Sequence, residues 1–462
     1  MKRNMKKEAY KNHFNKDIIV TLSDERLITP SGLCMVGQIF GKSSLAKKAA
    51  RMTTDKRSQP QIKNGDILLS EIGMLTLGKT SFDYINEFHS DPEYYKAALG
   101  IAYGIPSEST LRMRLDTIGQ SMDADIIEGN VSMFKACKVE PSALLCGYVP
   151  VDLDVTPFDN SKTHKEGVSR TYKNFDGYAP MMAYIGTEGY GCNFELREGK
   201  QYCQNGTPEF LQKTIKTSKQ MTNKPLLFRM DSGNDAAENM EILHWDDPQI
   251  KFLVKHNFRR ENKEKLAESL KKVCQNVNKP REGKTIYIGT TWKNINTENK
   301  GEICVRAVYE IIERTLDPNG QFLLEPEQEI NLYLTSLDLS DEEVIKLYHN
   351  HAVCEQYHSE IKTDMDIERL PSGKFATNAL ILKLGMLAYN ILRIIGTEAM
   401  KQNDMPVRHK TIKRRRIRTV IDRLILIAGH LTVHARRIKL ALGKSNPWAN
   451  AFIRIHKAFA AI

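Results

Sequence analysis

Two short apolar runs that lead into aspartates constrain this chain more than anything else in it. Tyr148–Val155 alternates like a strand and carries Asp152 and Asp154 on alternate positions. Pro225–Met230 is short and apolar but for Arg229, and closes on Asp231-Ser232-Gly233, the pattern of a buried strand ending in a loop. Between them, Pro180–Ile185 and Cys192–Leu196 read as further strands, set off by turns at Gly186 and Gly189–Gly191. A helix-like stretch from Pro208 to Met221 precedes the second run. Three strands, a helix and a fourth strand predict a mixed α/β layer.

The chain has 462 residues, which suggests two to four modules. Residues 1–145 read as a helical N-terminal DNA-binding region. In it, Ser43-Ser44 caps Leu45–Arg51, and Pro106-Ser107 caps Thr110–Leu115. A helix laid against DNA and an ordinary surface helix explain either one equally. Residues 146–258 form the first part of the α/β core and 259–336 a β-rich insertion, with strands at Thr285–Ile288, Ile303–Val308 and Ile330–Leu334. Ser340 then opens a long helix, with Glu343 completing a capping box. Residues 337–395 are read as the second part of the core, and 396–462 as a basic helical C-terminal region, with Pro406 and Pro447 as breaks. No apolar run approaches the roughly 18 residues of a membrane helix, and no apolar stretch follows the basic start as a secretory signal would require. The 8 cysteines show no CxxC pair, so reduced thiols and a cytoplasmic location are expected.

Charge is placed unevenly. Ala376–Ile462 holds 17 Lys or Arg against 3 Asp or Glu, a balance of +14, and the whole chain carries +11, so the first 375 residues sum to −3. A basic block on a nearly neutral protein is the footprint of a polyanion partner, although a solvated helix face has the same composition. Arg408, Lys410, Lys413, Arg414, Arg415, Arg416 and Arg418 fall within eleven positions, continued by Arg436, Arg437 and Lys439. Phosphate contact is their expected use.

Phosphodiester cleavage needs Mg²⁺ or Mn²⁺ held by carboxylates, with positions left open for water and phosphate oxygen. The candidates are Asp154 late in one strand, Asp231 at the end of another, and Glu355 on the long helix. Asp152 rivals Asp154, because period-two alternation puts both on one strand face. At about 100° per residue, Tyr348, His351, Glu355 and Lys362 lie within roughly 60° of one helix stripe. Trp292, in the β insertion, either packs in a small β core or stacks on an unpaired base.

The spacing Tyr348-x2-His351-x3-Glu355-x6-Lys362 resembles the Y-x2-R-x3-E-x6-K signature of DDE transposases from bacterial insertion sequences. Asp154-Val155-Thr156 is similar to the D-x-T strand of that family, and Arg229-Met230-Asp231-Ser232-Gly233 to its R-x-D-S-G. The likeness is closest to DDE group 1, the insertion-sequence family called thirteen-eighty. It extends over most of the chain, through Pro106-Ser107 with Thr110-Leu111, Gly177–Pro180, Leu196–Gly199 and the arginines near Arg414.

This resemblance implies an RNase H-like catalytic core, interrupted by a β-rich insertion and flanked by helical N- and C-terminal regions. It assigns Asp154, Asp231 and Glu355 as catalytic metal ligands, with two ions of Mg²⁺ or Mn²⁺. It implies cleavage at terminal inverted repeats, strand transfer into target DNA, and a DNA-bound homodimer. Tyr348, His351 and Lys362 would meet phosphate, and Trp292 a base. One position departs from the signature: His351 stands where the family has arginine, a weaker and pH-dependent donor. A catalytically impaired DNA-binding derivative and an RNase H-like nuclease without strand transfer are the rival readings.

Overall fold

The computed structural model describes residues 9–11, 17–51, 60–118, 122–245, 247–259, 261–299, 301–406, 412–435 and 437–461. A nine-stranded mixed sheet organises them. From one edge to the other its strands are Asn276–Arg281, Lys284–Thr297, Gly301–Leu316, Phe322–Thr335, Ile250–Lys255, Leu226–Met230, Val149–Val155, Met181–Ile185 and Tyr190–Glu195. Only the two pairings of Leu226–Met230, with Ile250–Lys255 and with Val149–Val155, are parallel. The predicted strands and the Thr207–Met221 helix thus stand where the alternation placed them.

Both faces of the sheet are covered at its central strands, and the period of two decides which residue faces where. Val149, Val151, Leu153, Leu226, Phe228 and Met230 enter the main core, packed against the helices Thr207–Met221 and Ala237–Trp245. Leu227, Leu253, Val308 and Tyr333 point the other way, into a second cluster closed by Val344 and Ile345. Asp152 and Asp154 share this second face, as the alternation predicts. Here lies the Asp341–His349 helix, opened by the capping box of Ser340 and Glu343.

The strands expected in the β-rich stretch lie within Lys284–Thr297, Gly301–Leu316 and Phe322–Thr335, and two other details differ from expectation. Leu253 pairs with Thr335 and Arg306 with Thr335, so its long hairpins extend the central sheet. It also begins with a helix, Lys263–Val273, capped by Asn262, whose carboxamide oxygen accepts from the Lys265 amide at 2.9 Å. The C-terminal region is not all helix. Gly429–His434 and Arg437–Leu442 form a hairpin that pairs through Gly429 with Ile28. Its alternating Leu431, Val433, Ile438, Leu440 and Leu442 carry a period of two that the surrounding charge hides.

The N-terminal helices begin where expected. Ser43 Oγ accepts from the Ala46 amide at 3.1 Å, and Ser107 Oγ from the Thr110 amide at 3.3 Å. Arg112 and Arg114 are engaged within the fold, Arg112 with Glu108 and Arg114 with Asn64 and the Ile62 carbonyl. The longest helix, Phe375–Ala399, is apolar enough by length and composition to cross a membrane. Since 89% of that window is buried inside the fold, it is a core helix.

Candidate active site

Parallel pairing sets Leu153 opposite Met230, so Asp154 and Asp231 leave the same end of adjacent strands. Asp154 Oδ1 accepts from the Val155 amide at 2.7 Å, and Asp231 Oδ1 from Asn234 Nδ2 at 2.6 Å. Gly233 stands in tight space here. A Cβ on it would lie 3.0 Å from Cys203 Sγ and 3.3 Å from the Asp231 carboxylate.

Glu355 lies on a helix that is not continuous, close enough for its charge to act on Asp154. After His349 the chain tightens into a 3₁₀ turn over Asn350–Val353, resumes as α-helix over Cys354–Ser359, and widens into a π turn over Glu360–Asp364. Tyr357 fixes this segment to the sheet: its hydroxyl donates to the Thr187 carbonyl at 3.3 Å, and any Cβ on Gly189 would meet its ring at 2.3 Å. Burial, then the charge of Asp231 and, more weakly, of Glu355, push the Asp154 carboxyl up to about 7. The three predicted ligands are therefore brought within electrostatic reach of one another.

Asp152 is separated from Asp154 by its partner. Arg229, in register with Asp152 across the parallel pair, donates Nε to Oδ1 at 2.6 Å and Nη2 to Oδ2 at 2.7 Å. Its Nη1 donates to the Leu347 carbonyl at 2.8 Å, tying the sheet to the helix that leads to Glu355. Both side chains are buried. Despite the cost of burial, the charges of Arg229 and His351 hold Asp152 below the usual carboxylate range. Asp152, His351 and Cys354 offer ligand atoms within 4.8 Å of one another. A guanidinium already occupies both Asp152 oxygens, and burial holds the Cys354 thiol far above its ordinary range. That cluster does not suit a cation.

The single stripe expected on the helix is broken, because a 3₁₀ turn advances about 120° per residue rather than 100°. His351 is buried, and its Nδ1 lies 2.9 Å from Asp152 Oδ1, so it faces inward and not toward phosphate. Lys362 donates to the Pro157 carbonyl at 2.8 Å and pairs with Glu368 at 2.8 Å. Tyr348 stacks at a tilt on Tyr333, 4.7 Å between ring centres. Burial and the charges of Asp231 and Asp154 raise its phenol.

The arginine cluster is also engaged internally. Arg414 donates to Glu360 at 2.6 Å, Arg416 to Asp364 at 2.8 Å, and Arg418 to the Thr363 carbonyl at 2.9 Å. Arg415 is buried, with its guanidinium over the Trp448 ring. The expectation of phosphate contact fails for buried Arg415, and for Arg414 and Arg416 the nearest anions are the carboxylates of the Glu355 segment. Lys413 is exposed and lines a cleft of about 720 Å³ together with Glu355 and Ser359. Arg408, Lys410 and Arg436 lie outside the described residues. Trp292 is 65% exposed on its strand, so the packing alternative is overturned.

One residue was missed by sequence reasoning. His358, three positions after Glu355, is buried with Nδ1 3.7 Å from Asp154 Oδ2, and its Nε2 has no hydrogen-bond partner among the described residues. Burial, then the charges of His351 and Lys362, lower it to about 3, so the imidazole is neutral. Its i+3 spacing from Glu355 was the available signal.

A family model described as "Transposase DDE domain group 1" matches residues 10–462. Among solved structures, the cryo-EM synaptic complex of piggyBac transposase with hairpin DNA is similar at a TM-score of 0.40 and 10% identity, covering 94% of this chain and 81% of that one. No curated protein matches the chain.

Proposed function

The chain belongs to the transposase DDE domain group 1 family and is a DDE transposase, and from that premise we propose that Asp154, Asp231 and Glu355 are its metal ligands. The observation that carries this reading is the pair of aspartates at the same end of adjacent strands, with the Asp154 carboxyl raised by burial, then by the charge of Asp231 and, more weakly, of Glu355. Such an all-oxygen donor set suits a hard cation, Mg²⁺ or Mn²⁺, and a divalent charge relieves the repulsion among the three carboxylates. Two bound ions would supply activation of the attacking oxygen and stabilisation of the leaving one.

The chain's own residues do the remaining work. The Arg229–Asp152–His351 network holds the Asp154 strand, the Asp231 strand and the Glu355 segment in one arrangement. Lys413, beside Glu355, offers a cation to the phosphate backbone. In this reading, water attacks the phosphorus at a terminal inverted repeat and the 3′ oxygen leaves with a proton. The freed 3′ hydroxyl then attacks a phosphorus of target DNA, and as the new phosphodiester forms the bond to the target strand's own 3′ oxygen breaks and that oxygen leaves with the proton. The core is read as RNase H-like, residues 1–145 and 396–462 as regions that hold double-stranded DNA, and the working assembly as a homodimer with the ends paired.

His351 lends no support to the impaired-derivative reading. It lies on Asp152 rather than in the cleft, so the exchange leaves the three proposed ligands untouched. The test is cleavage of a labelled duplex bearing the element's terminal repeat in Mg²⁺, wild type against Glu355→Gln. The expected result is a wild type that cuts at the repeat end and a variant that binds without cutting. Equal cutting by both overturns the assignment of Glu355. Binding without cutting by both leaves a DNA-binding relic.

A further inference from the structure

One oxygen of the Asp154 carboxylate is already engaged and the other is not. Oδ1 accepts from the Val155 amide at 2.7 Å, which leaves Oδ2 without a hydrogen-bond donor among the described residues. The nearest basic nitrogen belongs to His358, whose Nδ1 stands 3.7 Å from Oδ2. No other side chain among the described residues brings a basic nitrogen into ion-pair reach of Asp154.

His358 itself is left unsatisfied. Its side chain is only 6% exposed, yet Nε2 has no hydrogen-bond partner among the described residues and Nδ1 is too far from Asp154 to have one. Buried polar atoms are almost always hydrogen-bonded, so a ring with neither nitrogen satisfied needs another partner. Packing does not supply the reason. The ring centre lies 5.5 Å from that of Tyr184, a contact that phenylalanine would make without burying polar atoms. A neutral imidazole carries a lone pair on one nitrogen, and no hydrogen bond here fixes which.

The separation suits a shared cation. Bonds of about 2.1 Å to a nitrogen and to an oxygen bridge up to roughly 4.2 Å, whereas a direct hydrogen bond needs about 3 Å. The nitrogen arrives with the proposed third ligand. His358 follows Glu355 by three positions on the Cys354–Ser359 helix, so both lie on one side of it, Glu355 exposed and His358 turned inward onto Tyr184. His351, the other nearby imidazole, is held on Asp152 at 2.9 Å.

We infer that His358 Nδ1 is a nitrogen ligand of the cation held by Asp154, and that it tightens the site for transition ions relative to Mg²⁺. This rests on the ligand reading above and adds a fourth donor to it. Oxygen donors suit Mg²⁺ and Mn²⁺ alike, while an imidazole favours transition ions and contributes little to Mg²⁺.

The test is electron paramagnetic resonance of the DNA-free protein titrated with Mn²⁺, with pulsed detection of nitrogen bound to the ion. Wild type should show a directly coordinated imidazole nitrogen. His358→Gln should lose that signal, and its Mn²⁺ affinity should fall by about tenfold or more, at least what loss of an outer-shell partner costs. Mg²⁺ affinity, read by competition against Mn²⁺, should change much less. The wild-type nitrogen signal needs no substitution, so it stands apart from any folding defect in the variant. Mn²⁺ bound by wild type without a coordinated nitrogen overturns the inference and leaves the carboxylate reading standing. A nitrogen signal that survives in His358→Gln, or equal losses for Mn²⁺ and Mg²⁺, does the same. Absence of Mn²⁺ binding, or binding that Asp154→Asn does not weaken, overturns the carboxylate reading and this inference with it.

Discussion

Removing Arg229 tests the network that separates the rival aspartates. Arg229 and Asp152 are both buried and joined by two hydrogen bonds of 2.6 and 2.7 Å, and Arg229 also satisfies the Leu347 carbonyl. In Arg229→Met, the Asp152 carboxylate stays buried with His351 as its one remaining side-chain hydrogen-bond partner among the described residues. Stranding one member of a buried pair costs about 3–5 kcal/mol. Replacing both members with apolar groups removes the stranded charge. Asp152→Leu/Arg229→Met should therefore recover most of the loss, short of roughly 1–3 kcal/mol for the carbonyl left without its donor. Urea unfolding followed by tryptophan fluorescence and circular dichroism, with coincident transitions, measures both. A cost below about 1 kcal/mol for Arg229→Met, or a double variant worse than either single one, refutes the argument. The same proteins test the ligand assignment. Mn²⁺ should still raise the unfolding midpoint of the double variant, because binding to the native state stabilises it, while Asp154→Asn should abolish that rise.

Two further outcomes follow from buried groups. Glu71 is fully buried, neither carboxylate oxygen has a partner among the described residues, and burial raises it to about 8. A carboxyl whose folded value is raised contributes its full stability below the unfolded value of 4.5 and loses it as pH climbs through 8. Relative to Glu71→Gln, wild-type unfolding free energy should fall by up to about 1.4 kcal/mol per pH unit across that window, and a pH-independent difference would sink the reasoning. His351→Ala should leave the slope of log affinity for DNA against log salt unchanged, because the imidazole faces Asp152. Lys413→Ala should reduce that slope by about 0.9, the signature of one phosphate contact, and the reverse pattern would restore His351 to the DNA interface.

Much of the site was legible before any tertiary structure. Period-two alternation ending in Asp154, and an apolar run ending in Asp231, located two strand ends, and Ser340 with Glu343 located the helix start. These signals are local, since a strand's facing and a helix's first turn depend on residues within a few positions. The same locality explains the errors. The 100° stripe assumed one unbroken helix, whereas the turn at Asn350–Val353 rotates His351 onto Asp152. The C-terminal hairpin was hidden because its alternating apolar positions are interleaved with charge and need Ile28 to pair with.

By itself, then, the sequence determined where carboxylates sit along strands and helix, and that a basic block ends the chain. Which charges are free to act was decided only by tertiary structure. Asp152 is silenced by Arg229, 77 positions away, and Asp364 takes up Arg416 from 52 positions away. Trp292 stays in solvent on a strand whose alternation alone could have buried it. Periodicity encodes the direction a side chain points. The partner that neutralises, buries or exposes it is supplied by elements distant in the chain, and only the fold brings those together.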